Sequence, residues 1–150
     1  MLRGVHHAGV TVADLDRALT FYRDVLGLEV FVVAERTDAT IGDITGYPGG
    51  AVKLAFCGVP GDTARIELLE YREPRGDAAD GETFRPGTGH VCFRVDDIEG
   101  LFQRIVDAGF TPRSSEPVTI TEGPNSGARA FYVRDPDGYT VELFQLPPGR

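Results

Sequence analysis

The spacing of apolar and polar positions changes period twice along the chain, in the same order each time. HHAGVTV alternates loosely, as a strand with one buried face does. LDRALTFYRDVL then lines up Leu15, Ala18, Leu19, Tyr22 and Leu26 as the apolar stripe of a helix, with Asp14 as N-cap and Gly27 as stop. LEVFVVAE, VKLAFCGV and RIELLEYR follow as three strand-like runs separated by turn or polar residues. GHVCFRVDDIEGLFQRIVDAG begins the pattern again, with a strand, an Asp96/Asp97 cap and a helix ending at Gly109. TPRSSEPVTIT, ARAFYVRD and TVELFQLP read as its strands, and Asp-Pro-Asp-Gly at 135–138 supplies a tight hairpin turn.

Overlaying the halves places His7 on His90, Val12 on Val95 and Asp14 on Asp97, all 83 residues apart. Glu67 falls on Glu142 at an offset of 75, so the second half has a loop eight residues shorter. The modules run over approximately 3–73 and 87–147, joined by a Gly-, Pro- and charge-rich linker at 74–86. RTDATIGDITGYPGG reads as a loop over a cavity mouth. Each half is too small to close a good core alone, so the chain is expected to form one domain over 1–150. The class is α+β: two βαβββ modules whose sheets face each other across a pseudo-twofold axis.

Composition narrows the partners. With 41% hydrophobic and 25% charged residues the chain is globular, and its net charge of -8 disfavours nucleic acid and anionic membrane. No run is long and apolar enough for a span and MLRGVHHAG lacks an apolar leader, so a cytoplasmic location is the default expectation. Cys57 and Cys92 each sit in an apolar run and read as small core residues without a disulfide.

Strand alternation sorts the chemistry. His7 and His90 point away from the bulky apolar sets that pack under the helices, and so do Glu67 and Glu142, carboxylates within IELLE and VELFQ. A buried carboxylate needs a partner, a metal or a proton. Two imidazoles and two carboxylates placed by one internal repeat form a candidate set of two nitrogen and two oxygen ligands for a divalent ion. His6 lies on the other face by alternation, its partner position is Gly89, and it is left outside the site.

The segments HAGVTVADLDRALTFYRDVLGLEV, IELLEY, GTGHVCFRVDDIEGLFQRIVDAGF and FYVRDPDGYTVELFQ together resemble the vicinal oxygen chelate superfamily, which includes glyoxalase I, methylmalonyl-CoA epimerase, extradiol dioxygenases, and fosfomycin and bleomycin resistance proteins. The resemblance implies two modules forming a cupped, barrel-like cleft of mixed sheet around one divalent ion (zinc, nickel, cobalt, manganese or iron), often in a homodimer. Its metal ligands fall on His7, Glu67, His90 and Glu142. The implied substrate is a small molecule that chelates through neighbouring oxygens.

The four filled ligand positions look most like the glyoxalase and epimerase branches. A glyoxalase-like lyase or isomerase abstracts a proton alpha to a carbonyl and forms a metal-bound enediolate, with Glu142 as base and Glu67 in the symmetric role. The epimerases' further acid/base glutamate matches Lys53, which counts against that branch. An extradiol dioxygenase is a third reading. A non-catalytic module binding an aromatic ligand through Phe56, Phe84, Phe131 and Tyr132 is a fourth. Arg36, Arg72, Arg94 and Arg129 are the candidates for meeting an anionic group, and Arg94 shares His90's face.

Overall fold

The protein's structure, a computed structural model, describes residues 1–149. Its contacts divide the chain into two compact units, Met1–Ala79 and one beginning at Asp80, with the boundary inside the expected linker. The first unit contains β1 (Ala8–Thr11), α1 (Leu15–Leu19), β2 (Glu29–Arg36), α2 (Ala39–Thr45), β3 (Ala51–Gly58) and β4 (Ile66–Glu73). The second contains β5 (His90–Arg94), α3 (Ile98–Asp107), β6 (Val118–Thr119), β7 (Arg129–Arg134) and β8 (Thr140–Gln145). The strand orders are β1-β4-β3-β2 and β5-β8-β7-β6, with the first strand of each unit parallel to its last and the others antiparallel.

The repeat of βαβββ-like modules is present, but the barrel-like cleft is not. Each sheet is open, with β1 and β2 at the edges of one and β5 and β6 at the edges of the other. A sheet closes only when its outer strands pair, and here they do not. The two-residue β6 also replaces the longer strand expected over TPRSSEPVTIT. That segment is crowded with Pro, Ser and charge, which suit neither a ladder nor a buried face.

Both helices begin as their caps predict. Asp14 accepts from the Arg17 N–H at 2.8 Å, and Asp97 from the Gly100 N–H at 2.9 Å. The first helix widens into a π-helical turn over Thr20–Val25, where adjacent Phe21 and Tyr22 are both buried; a regular α-turn would aim neighbouring side chains 100° apart. Gly27 and Gly109 take the left-handed conformation that ends each helix. α2 lies within the stretch read as loop, capped by Asp38 and ended by left-handed Gly46.

A second contact fixes each helix to its sheet. The buried Glu70 carboxylate accepts from the Leu15 N–H at 3.0 Å, and Gln145 accepts from the Ile98 N–H at 2.9 Å. Both residues lie three positions after the glutamate of the repeat, so strand alternation sends them to the helix side. Arg72 and Arg75 also reach Glu70, at 3.1 and 3.3 Å. Around these ties, Val10, Leu15, Phe21, Tyr22, Ile66 and Leu68 pack the first core. Ile98, Ile105, Phe131, Val133, Val141 and Leu143 pack the second. Among the described residues no helix is long and apolar enough to cross a membrane.

Removing the Glu70 carboxylate leaves a buried N–H and two arginines without their acceptor. Glu70→Ala is therefore expected to lower unfolding free energy by about 2–4 kcal/mol. Glu70→Gln is expected to lose less, because the second unit uses an amide in the same place. Denaturant unfolding checks both, and an unchanged midpoint for Glu70→Ala would contradict the assignment.

Candidate functional site

Each parallel ladder builds one histidine–carboxylate pair. Gly9 stands opposite Glu67, and Cys92 stands opposite Glu142. His7 and His90 each lie two residues earlier, so each imidazole reaches its glutamate diagonally. His7 Nε2 is 3.1 Å from Glu67 Oε2, and His90 Nε2 is 3.0 Å from Glu142 Oε2. The carboxylates are mostly covered, at 15% and 18% side-chain exposure, while both imidazoles are 36% exposed. The carboxylates embedded in apolar strands thus find their partners within their own unit.

In the second unit the Asp-Pro-Asp-Gly turn sets the register. Asp135 Oδ1 accepts from the N–H groups of Asp137 and Tyr139, both at 2.9 Å, and the hairpin places Tyr132 opposite Glu142. Cys92, Glu142 and Tyr132 form a row across three strands, with the Tyr132 hydroxyl 3.5 Å from His90 Nε2. The corresponding row in the first unit is Gly9, Glu67 and Phe56, and Phe56 meets His7 edge-on at 5.5 Å. One pair is bordered by a thiol and a phenol, the other by a bare backbone and a phenyl ring.

Several expectations change. His6 is part of the first pair's surroundings, its Nδ1 2.8 Å from His7 Nδ1. Alternation misplaced it because β1 starts only at Ala8. If His7 Nε2–H donates to Glu67, its bare Nδ1 accepts from His6; with Nε2 otherwise engaged, the proton moves to Nδ1 and His6 accepts. Cys57 is buried as expected, but Cys92 is an exposed residue on the His90 face, not a core one. Burial of the sulfur and the Glu142 carboxylate beside it push the Cys92 thiol up to about 12.

Lys53 lies off the site. Its register partner Glu70 faces the helix, and its ammonium is 2.9 Å from Asp16 in α1. Arg36 is held by Asp38 at 2.7 Å, Arg72 by Glu70 at 3.1 Å, and Arg129 by Glu99 at 2.5 Å. Arg94 instead lines an open cavity of about 340 Å³ at the ends of β5 and β8, with Val95, Asp96 and Gln145. Of the aromatic candidates, Phe56 and Tyr132 border the pairs, Phe131 is core, and Phe84 is 76% exposed.

The donor chemistry of each pair fits a divalent ion. Two ligands about 2.1 Å from one ion at a right angle stand about 3.0 Å apart, close to both observed separations. Each pair offers one nitrogen and one oxygen, half of a four-ligand set. Among the described residues no three His, Cys, Asp or Glu side chains come together as a metal site.

The raised Cys92 thiol gives a direct check on the row. At pH 8 a thiol near 12 is about a thousandfold less ionised than one near 9, so Cys92 should alkylate far more slowly than a free thiol despite its exposure. Glu142→Gln should speed that reaction by removing the adjacent charge. Iodoacetamide labelling followed by peptide mass spectrometry reads both rates, and free-thiol reactivity of Cys92 in the unsubstituted protein would contradict the geometry.

Comparison with known proteins agrees with the fold and the repeat. Residues 4–143 match the family model described as the Glyoxalase/Bleomycin resistance protein/Dioxygenase superfamily. A probable lactoylglutathione lyase of Synechocystis is 32% identical over 93% of this chain and 92% of its own. A 2-epi-5-epi-valiolone epimerase of an Actinomyces species is 28% identical over 97% of this chain and 80% of its own. Among solved structures, a glyoxalase family protein of Bacillus cereus superposes with a TM-score of 0.85 at 24% identity, covering 98% of this chain and 96% of that one. The chain belongs to the glyoxalase/bleomycin resistance protein/dioxygenase superfamily.

Proposed function

We propose that the protein is a metal-dependent lyase or isomerase of the glyoxalase I-like group, in which His7, Glu67, His90 and Glu142 together hold one divalent ion. The observation that carries this reading is the duplicate imidazole–carboxylate pair, built by the same diagonal across the same parallel ladder. The reading includes a homodimer, as the family resemblance implies. When bound, the ion polarises neighbouring substrate oxygens and stabilises negative charge developing on them.

The chain's own residues supply the rest. Glu142 removes the proton from the carbon alpha to the substrate carbonyl and returns it to the neighbouring carbon, converting a thiohemiacetal of an oxoaldehyde into a hydroxyacyl thioester. No atom is gained or lost. The phenol of Tyr132 and the thiol of Cys92 flank that carboxylate, whereas Glu67 sits between Gly9 and Phe56. These surroundings suit Glu142 to proton transfer and Glu67 to holding the ion.

An epimerase is the second reading, favoured by the Actinomyces relative, although Lys53 stands where that branch carries its further acid/base glutamate. That lysine faces α1 and is bound to Asp16, so it says nothing about which acid or base reaches the substrate. Epimerisation returns the proton to the same carbon from the opposite side, a task for two carboxylates such as Glu67 and Glu142.

Purified protein loaded in turn with zinc, nickel, cobalt, manganese and ferrous iron should isomerise the thiohemiacetal of methylglyoxal. Glu142→Gln should lower kcat by about 10²- to 10⁴-fold, and Glu67→Gln should lower metal occupancy. Full activity of both variants would overturn the reading. Alpha-proton exchange into D2O without net isomerisation would select the epimerase.

A further inference from the structure

The first pair has a neighbour that the second lacks. His7 Nε2 meets Glu67 at 3.1 Å, and the other nitrogen of the same ring, Nδ1, lies 2.8 Å from His6 Nδ1. The Phe56 ring meets both imidazoles edge-on, with centroids 6.4 Å from His6 and 5.5 Å from His7. In the second unit the position before His90 is Gly89, which has no side chain to offer.

Proton counting defines what this contact does. Two bare nitrogens would repel at such a distance and two N–H groups would clash, so the Nδ1···Nδ1 contact holds one proton. The two neutral rings therefore take complementary tautomers. While His7 Nε2–H donates to Glu67, His7 Nδ1 is bare and accepts, which puts the His6 proton on Nδ1. A ligating His7 Nε2 carries no proton, so its Nδ1 does, and His6 becomes the acceptor with its own proton on Nε2.

The exchange between these arrangements balances. His7 Nε2 releases one proton to solvent, His6 Nδ1 passes one to His7 Nδ1, and His6 Nε2 takes one from solvent. Neither ring changes charge. His6 is an exposed residue, open to the solvent that supplies this last proton.

We infer that His6 is a positioning residue for His7, holding that imidazole by its Nδ1 in either tautomer so that Nε2 is presented to Glu67 in one and to a divalent ion in the other. The inference rests on the metal reading above and adds to it a residue outside His7, Glu67, His90 and Glu142. It also makes the two histidines unequal, since only His7 has a side-chain partner from the preceding residue. The role needs a group that both donates and accepts near the His6 Nδ1 position. An asparagine amide does both, and alanine does neither.

Two measurements test it. In long-range 1H–15N spectra of the metal-free protein at about pH 8.5, above the ordinary imidazole range, the His6 ring should carry its proton on Nδ1. Zinc should move that proton to Nε2 and leave His7 protonated on Nδ1. Zinc affinity, read by competition with a chelator, should fall about tenfold in His6→Ala and less than about twofold in His6→Asn, as for loss and retention of a group that orients a ligating histidine. His6 is exposed and precedes β1, so folding is not at stake in either variant. The same His6 tautomer with and without zinc would overturn the inference and leave the metal reading standing, as would an unchanged affinity in His6→Ala or equal losses in the two variants. Failure of the unsubstituted protein to bind zinc would bring down the metal reading and this inference with it.

Discussion

Everything proposed for this chain depends on the register of two parallel ladders. In each unit the first strand pairs with the last so that a histidine two residues before the paired position meets a glutamate across the strands. A slip of one residue would send the imidazole to the helix side and leave the carboxylate among apolar neighbours without its partner. Register therefore decides whether each pair forms. The helix ties reinforce it: Glu70 and Gln145, three residues past the paired glutamates, clamp the first turns of α1 and α3 from the opposite face. A single E-x-x-E or E-x-x-Q stretch puts the histidine-paired glutamate on one side of the sheet and the helix tie on the other.

The two halves have kept the pair and diverged around it. Phe56 and Gly9 border the first pair. Tyr132 and Cys92 border the second and bring a hydroxyl and a thiol next to Glu142. Duplication explains the shared geometry, and substitution at the flanking positions gives one pair a hydroxyl and a thiol as neighbours and the other a phenyl ring and bare backbone. Family membership accounts for the first of these features. The side chains at positions 9, 56, 92 and 132 account for the second.

Much of this was legible in the sequence because it is written in periodicity. Alternation gave the faces of Glu67 and Glu142, the 83-residue repeat singled out His7 and His90, and Asp14, Asp97, Gly27 and Gly109 marked the helix ends. What was not legible lies where periodicity has no reach. His6 precedes β1, so alternation could not aim it. α2 is a seven-residue helix containing Gly42, although Asp38 before it and Gly46 after it were available as cap signals. Cys92 looks like core because its neighbours Val91 and Phe93 are apolar, but it shares the face of His90, and Lys53 was matched by position when its own strand phase pairs it with Glu70. The openness of the sheets follows from edge strands that do not pair, which no single strand's pattern reveals.

The central claim is that the two imidazole–carboxylate pairs act as one metal site. X-ray absorption at the zinc edge of stoichiometrically loaded protein reads it most directly, since multiple scattering counts imidazoles in the coordination shell. The account predicts two imidazoles per zinc, falling to one in His7→Ala and one in His90→Ala, with the remaining ligands oxygen. One imidazole per zinc in the unsubstituted protein, or a spectrum unaltered by either substitution, would contradict it.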